Sequence, residues 1–563
     1  MFKYPIEYLE DKYELEKHVI DDLELTETKD SSLNPIYKLI YSPTNVYGEQ
    51  SMSRIGNYYT DNVDFLRDTQ DILKKYKIIS QDRSKVKNLH DKLKQIWAEI
   101  KGETGFCEKY LYVDWEFGKF LNNNSFFLQI MSLYNLSSPL ISLFLPILFL
   151  IIPFIVIKAK GLQVTINQYV EILKDVVSKH AIGKVFTQFS QVSWSQRVYL
   201  LMSAAFYVFS VYQNILVCIR FYSNMKKMHD YINTLKEYLL ETKTEIKHLI
   251  QTINSYNTYN NFLSELNVKY EHIADLYNKL DNINDFSISF KKIFQLGYIL
   301  EQFYRIHCDL EYEKIVSYTF GFNGYIDCLD GLQRRLNNKD ISFVTFDLSG
   351  STKFDNSYYA ALIEQKNVKN TCDLEKNMII TGPNASGKTT ILKSNIINII
   401  LSQQFGVACC SKGNVNPYKY IHCYLNIPDT SGRDSLFQAE ARRCKDIIDI
   451  IEKEPSKRHF CVFDELYSGT NPDEAVGSAT AFMEYLTNKS NINCILTTHF
   501  VKLCKKLGKH KNIKNYHMKT IENIDTKTFD YTYILEKGIS KVKGGHKVLS
   551  DMNYPSEILT KVI

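Results

Sequence analysis

The chain has 563 residues, a formal net charge of +5, and a composition that is 45% hydrophobic and 23% charged. This excludes a disordered or fibrous chain and gives room for roughly two to four structural units with a sizeable core. The charge is too mild to single out a partner, and the twelve cysteines, without a C-x-x-C pair and partly inside apolar strands (Cys461, Cys494), are used as in a reduced, cytosolic chain rather than a disulfide framework.

The N-terminus, MFKYPIEYLEDKYELEK, is charged and has no apolar core, so no cleavable signal peptide is expected. Residues 1–60 are polar and irregular, and they read as an N-terminal arm that is poorly ordered in part. From 61 to 135 apolar positions recur at helical spacing: Phe65, Leu66, Ile72 and Leu73, then Leu89, Leu93, Ile96, Trp97 and Ile100.

Residues 136–220 change character. Ser137–Ile157 reads SSPLISLFLPILFLIIPFIVI, and no charged residue occurs between Lys119 and Lys158. At about 1.5 Å rise per residue this is long enough to cross a hydrocarbon core about 30 Å thick. Pro146 and Pro153 would break a soluble helix, whereas a membrane helix tolerates them when neighbours satisfy the freed carbonyls. A second uncharged run, Val198–Ile219, is less apolar and carries Ser203, Gln213 and Asn214. The pair predicts a transmembrane hairpin; the competing reading is a helical hairpin packed on a soluble core. The intervening loop holds six Lys/Arg, and Arg220, Lys226, Lys227 and Lys236 follow the second run, so charge does not set the orientation.

Residues 221–338 predict a helical core or lever. Met225, Met228, Ile232, Leu235, Leu239, Ile246, Leu249 and Ile253 keep a coiled-coil-like seam interrupted at Thr242. Further helices run to about Asn338, with turns expected at Gly321–Gly324 and at Gly331.

The segment 339–563 carries the chemistry. Ile341–Phe346 opens a sheet, and Met378–Ile380 is a short apolar strand followed by Gly382-Pro383-Asn384-Ala385-Ser386-Gly387-Lys388-Thr389, a complete G-x-x-x-x-G-K-[ST] phosphate loop. Thr390–Ile400 continues as a helix, so backbone N–H groups of the loop converge at a helix N-terminus. In this pattern Lys388 reaches the β/γ-phosphates of ATP and the Thr389 hydroxyl holds Mg²⁺. Phe460–Phe463 is a buried-strand pattern ending in Asp464-Glu465, where Asp464 would bind Mg²⁺ and Glu465 would orient or deprotonate the attacking water. Cys494–Thr498 is a further apolar strand ending in His499, placed as a γ-phosphate sensor. Ser435 lies near the start of a long helix between them. The basic cluster Lys502, Lys505, Lys506, Lys509, Lys511 and Lys514 reads as a solvated face, with DNA or anionic lipid as the competing contact.

These residues resemble the ATPase domain of the MutS mismatch-repair family. Thr381-Gly-Pro-Asn384 ahead of GK[ST], Asp464-Glu465-Leu-Tyr-Ser-Gly469-Thr470, Thr498-His499 and Ser435-Leu-Phe437 are similar to that family's TGPN loop, DE-x-x-x-GT segment, TH switch and STF signature. Lys537–Ser540 and Tyr554–Ile558 resemble its closing strand and last helix, so the likeness covers about Ile341–Ile563. It implies an ABC-type P-loop α/β domain, a homodimer through the ATPase faces, and Ser435 meeting the partner's γ-phosphate. Gly105-Phe106-Cys107-Glu108 contains the F-x-E of the family's mismatch reader, but it lies in a helical region, so Phe106 is expected to be a core residue and the mismatch-reading domain missing. The chain stops soon after Pro555, so no helix-turn-helix extension or nuclease domain is expected.

The expected architecture is therefore α/β: a helical N-terminal and lever region with a transmembrane hairpin, followed by the ATPase domain. Two functions fit. One is a MutS-like ATPase whose dimer closure moves a helical clamp on DNA, membrane-anchored with its ATPase domain in the cytosol. The other is a membrane-associated ABC-type ATPase for transport or remodelling without DNA.

Overall fold

The computed structural model describes residues 2–79, 82–161, 165–179, 193–286, 293–425, 427, 435–523, 528–540, 542 and 544–559. It is a mixed α/β structure with two compact units that are discontinuous in sequence: Met1–His90, Thr244–Tyr270 and Ser317–Ile563 form the first, and Asp91–Lys243 and Glu271–Val316 the second.

The first unit holds all the strands among the described residues. β1 (Lys12–Glu14) and β2 (Tyr58–Thr60) form an antiparallel pair near the N-terminus. The segment expected as a partly disordered polar arm is instead folded into this unit. The reason lies in the aromatic and aliphatic residues spaced between its charges: Phe2, Tyr4, Leu23, Leu25, Tyr37 and Tyr41 are all buried. Phe2 sits within 6.1 Å, centroid to centroid, of Tyr4, Phe262, Tyr318, Phe322 and Tyr325.

A five-stranded sheet contains β3 (Ser342–Phe346), β4 (Lys353–Ser357), β5 (Asn370–Asp373), β7 (Val407–Ala408) and β8 (Lys412–Val415), in the order β5-β4-β8-β3-β7. The strand expected to open the ATPase sheet, β3, lies here. The main sheet has six strands. They are β6 (Asn377–Thr381), β9 (Tyr420–Tyr424), β10 (His459–Asp464), β11 (Ile492–Thr498), β12 (Ile513–Asn523) and β13 (Thr528–Lys537), in the order β13-β12-β6-β11-β10-β9. All neighbours in it are parallel except β12 and β13. The continuous apolar runs of β6 and β10 fit strands covered on both faces.

The helix Lys388–Phe405 follows the β6 loop and is buried along almost its whole length. Two of its buried amides are satisfied by backbone carbonyls: Gln403 Nε2 donates to Thr60 and Tyr418, and Gln404 Nε2 donates to Gly56. That pairing lets polar side chains sit in a core position.

Leu310–Asn337 is one helix, and the turns expected at Gly321–Gly324 and Gly331 are absent. These glycines mark close approach. A Cβ at Gly321 would lie 2.4 Å from Phe2 Cβ, one at Gly324 2.0 Å from Ser51 Oγ, and one at Gly331 1.5 Å from the Tyr41 carbonyl oxygen.

The second unit is helical. Within its first long helix, Ser125–Ala159, the stretch Ser125–Phe144 is long and apolar enough to cross a membrane, as is the N-terminal part of the 60-residue helix Trp194–Ile253. Only 17% and 6% of their apolar windows are buried. They meet where Tyr207 Oη donates to the Leu143 carbonyl at 2.9 Å. The seam residues Met225, Met228, Ile232, Leu235 and Leu239 are buried in this unit, and Ile246, Leu249 and Ile253 are buried in the first. Thr242 fits into that seam because its hydroxyl donates to the Tyr238 carbonyl. Phe106 is a core residue, 4% exposed and stacked on His307 with centroids 3.7 Å apart.

Candidate nucleotide site at the strand ends

Three adjacent parallel strands end at the same edge of the main sheet. The register pairs Thr498 with Thr381 and Asp464 with Thr497, so the residues following β6, β10 and β11 converge. The C-terminal edge of a parallel sheet is where open α/β folds bind ligands.

The loop after β6 is shaped by its small residues. Gly387 has φ 95° and Ala385 φ 60°, both in the left-handed region. Gly382 serves close approach instead: a Cβ there would meet Ser386 Oγ at 2.7 Å and Met518 Cβ at 3.1 Å. Asn384 and Ala385 are exposed, whereas Pro383 and Ser386 are buried. Ser386 Oγ has no hydrogen-bond partner, an orphaned polar atom inside the loop. Lys388 and Thr389 open the following helix, and Thr390 is half-buried behind them.

The Lys388 ammonium folds back into the loop. It donates to the carbonyls of Gly382 and Pro383, each at 3.2 Å, and lies 3.1 Å from His499 Nε2 and 4.0 Å from Glu465 Oε1. Burial lowers its pKa, against the pull of Glu465 and Asp464. His499 Nε2 and Glu465 Oε1 are 2.7 Å apart, and this hydrogen bond is the main reason that the Glu465 carboxyl lies below its usual range. Thr389 Oγ1 donates to Asp464 Oδ2 at 2.8 Å, while the Thr497 hydroxyl donates to the other carboxylate oxygen.

The backbone leaving β10 is strained in a way that aims these groups. Glu465 and Tyr467 have φ of 54° and 57°, sparsely populated for non-glycine residues and common where a site holds its chain against local preference. The turn is secured by Glu440, 2% exposed, which the sequence did not single out. Its carboxylate accepts from the Ser468 N–H and hydroxyl and from the Gly469 N–H. The only sequence signal was a carboxylate at the buried face of an amphipathic helix.

Ser435 caps the helix Leu436–Lys453. Its Oγ accepts from Gln438 N, and Gln438 Oε1 accepts from Ser435 N at 2.9 Å, a capping box. It is exposed, and these bonds lie within its own helix, not with the β6 loop. The same helix start packs on the β10 turn, because a Cβ at Gly469 would lie 2.7 Å from Leu436 Cγ. Residues 428–434, expected to lead into this helix, lie outside the described residues.

A cavity of about 550 Å³ opens beside the loop, lined by Pro383, Asn384, Asp473, His499, Lys502 and Ser540 among others. Next to this cavity, which His499 lines, one ammonium, two carboxylates, an imidazole and two threonine hydroxyls meet at the strand ends, a set able to hold a polyphosphate. Among the described residues no three His, Cys, Asp or Glu side chains form a metal-binding group. Thr389 and Asp464 offer two oxygens, the partial set suited to a Mg²⁺ that arrives with phosphates and keeps several waters.

The fold and this mouth define a mixed α/β protein with a glycine loop, an acidic strand end and a strand-terminal histidine facing one another. Residues 378–562 match the family model described as MutS domain V. The chain is 25% identical over 322 residues to the DNA mismatch repair protein Msh3 of Dictyostelium discoideum, covering 55% of this chain and 20% of that protein. It is 26% identical over 198 residues to the DNA mismatch repair protein MutS of Persephonella marina, covering 34% and 22%, and 27% identical over 184 residues to that of Acholeplasma laidlawii, covering 32% and 21%. The chain spans about a fifth of the length of these relatives. Through residues 378–562 the chain is similar to the MutS family.

Proposed function

We propose that the chain is a MutS-type P-loop ATPase of the ABC class, which binds and hydrolyses ATP with Mg²⁺ and closes as a homodimer through its ATPase faces. The observation that carries this reading is the convergence of Lys388, Thr389, Asp464, Glu465 and His499 at three neighbouring strand ends. Residues Gly382 to Thr390 cradle the phosphates, with Lys388 turning from the loop carbonyls and His499 to the phosphate oxygens. Thr389 and Asp464 hold Mg²⁺, whose contribution is to neutralise phosphate charge. Glu465 positions and deprotonates the attacking water, and His499 holds that carboxylate and senses the γ-phosphate. Ser435 of one protomer completes the site of its partner.

Lys388→Ala removes the one ammonium buried in the loop, so nucleotide binding measured by calorimetry falls below detection in the variant. Wild-type affinity there would contradict the reading.

In the main reading, ATP-driven closure moves the helical region on DNA, as the mismatch-repair names of the relatives suggest. A second reading is favoured by the exposed apolar surfaces of Ser125–Phe144 and Trp194–Ile219: a membrane-anchored ATPase, its ATPase domain in the cytosol, serving transport or remodelling without DNA. DNA binding measured against salt separates them. A clamp on DNA weakens steeply as salt rises, with a slope set by the phosphates contacted; no binding at low salt leaves the membrane reading.

A further inference from the structure

The sequence singled out the apolar helices but not the loop that precedes them. In the second unit, residues 113–122 form a closed loop that winds into the 3-10 helix Glu116–Asn123. Asn122, fully buried, pairs with both backbone groups of Val113: Oδ1 accepts from its N–H at 3.0 Å and Nδ2 donates to its carbonyl at 2.8 Å. Gly118 N donates to the Trp115 carbonyl at 2.9 Å, and a Cβ on Gly118 would lie 2.7 Å from Val113 Cγ1. Tyr112, at the base, is anchored by donating to the Leu300 carbonyl at 2.7 Å. The loop is held by hydrogen bonds and backbone packing, while its large side chains point outwards. Trp115 is 64% exposed, Phe117 90% and Phe120 68%.

Beyond Asn123 and Asn124, further apolar side chains are exposed on the first long helix. Phe126, Ile130, Leu133 and Tyr134 are exposed at helical spacing, followed by Leu140, Ile141 and Phe144. Phe294 joins the same turn, because Gln129 Nε2 donates to the Ile293 carbonyl at 2.6 Å and Gln129 Oε1 accepts from Gly297 N at 2.9 Å; it is 75% exposed. The loop carries three charged side chains: Glu116 and Lys119 pair with each other at 2.6 Å, and Asp114 is exposed beside Trp115.

We propose that the Trp115–Phe120 loop is a lipid-interface anchor, its three aromatic rings seated at the headgroup boundary where the apolar Ser125–Phe144 stretch of the first long helix enters a bilayer. The proposal rests on the reading that this helix pair lies in a membrane. A lipid surface is the occupant because the rings directly precede a stretch free of charge from residue 120 to 157, with exposed apolar residues on the helix from Phe126 to Phe144. Trp and other amphipathic rings concentrate where a span meets headgroups. A rigid loop also places them there without ordering cost.

The test uses the 563-residue chain with Trp97→Phe and Trp194→Phe, which leaves Trp115 as the sole tryptophan. It is reconstituted in phosphatidylcholine liposomes carrying a quencher either at the headgroup or at the acyl-chain end, and floated on a density gradient. The expected result is co-flotation, blue-shifted Trp115 emission, and at least twofold stronger quenching by the headgroup label than by the chain-end label. Co-flotation with red-shifted, unquenched emission overturns the loop anchor and leaves the helix pair in the bilayer. Blue-shifted emission quenched by neither label means that protein, a second copy included, covers the loop, and it overturns the proposal too. Failure to float overturns the membrane reading beneath it. Phe117→Ser, a change at the most exposed ring, should weaken the headgroup quenching while leaving flotation intact; unchanged quenching counts against the proposal.

Discussion

Lys388 illustrates how one residue can be legible in chemistry and illegible in geometry. Its place in G-x-x-x-x-G-K-T names its partner as phosphate, yet here its ammonium is stored against the loop's own carbonyls, His499 and Glu465. A buried ammonium needs such partners, because an unpaired one costs several kcal/mol. The glycines teach the opposite lesson. Local sequence reads a glycine as a turn, but Gly331 sits mid-helix where the Tyr41 carbonyl crosses it, and only the packing partner, distant in sequence, reveals that. Gly331→Ala places a methyl group 1.5 Å from a backbone oxygen that cannot step aside. Overpacking of this kind costs about 1–3 kcal/mol, so the first unit's melting transition falls by several degrees. Gly477, also within a helix but with nothing within 4 Å of its Cβ position, is the control. Gly477→Ala should hold or raise the melting temperature, since Ala is favoured over Gly in a helix by up to about 1 kcal/mol. Equal melting of the two variants would contradict the close-approach account.

At the scale of elements, the helix Leu436–Lys453 links the site to its surroundings. Its N-terminus is exposed at Ser435, its first turn packs on the β10 turn, and Glu440 one turn further holds Ser468 and Gly469. Orphan N–H groups at that end suit an anion, which is why a partner's phosphate is proposed to meet it. Ser435→Arg introduces bulk where the partner would dock, and turnover should drop while nucleotide affinity stays near wild type. The substitution also loses an N-cap worth about 1 kcal/mol. Ser435→Ala, which loses the cap alone, therefore retains more activity if the docking account is right. Turnover falling equally in both, or full activity as a strict monomer by light scattering, would contradict it.

For the molecule as a whole, the sequence carried the site because each piece is local: a loop of eight residues, a carboxylate pair at an apolar strand's end, a histidine at another. What brings them together is strand order, β6 beside β11 beside β10, and no local pattern encodes which strands become neighbours. For the same reason the packing of Phe2 and Tyr4 against Phe262 and Tyr325 was invisible in a stretch read as a polar arm. Seam periodicity did identify the buried positions from Met225 to Ile253, because a long amphipathic helix writes its core face into its own spacing. The central claim is that these strand ends form an ATP-hydrolysing site, and steady-state phosphate release from ATP and Mg²⁺ tests it most directly. Glu465→Gln keeps Lys388, Thr389 and Asp464 in place but removes the base beside His499. Nucleotide should still bind, while turnover falls by about 10²–10⁴-fold. Wild-type turnover in Glu465→Gln, or no ATP-dependent phosphate release from the unmodified chain, would contradict the account.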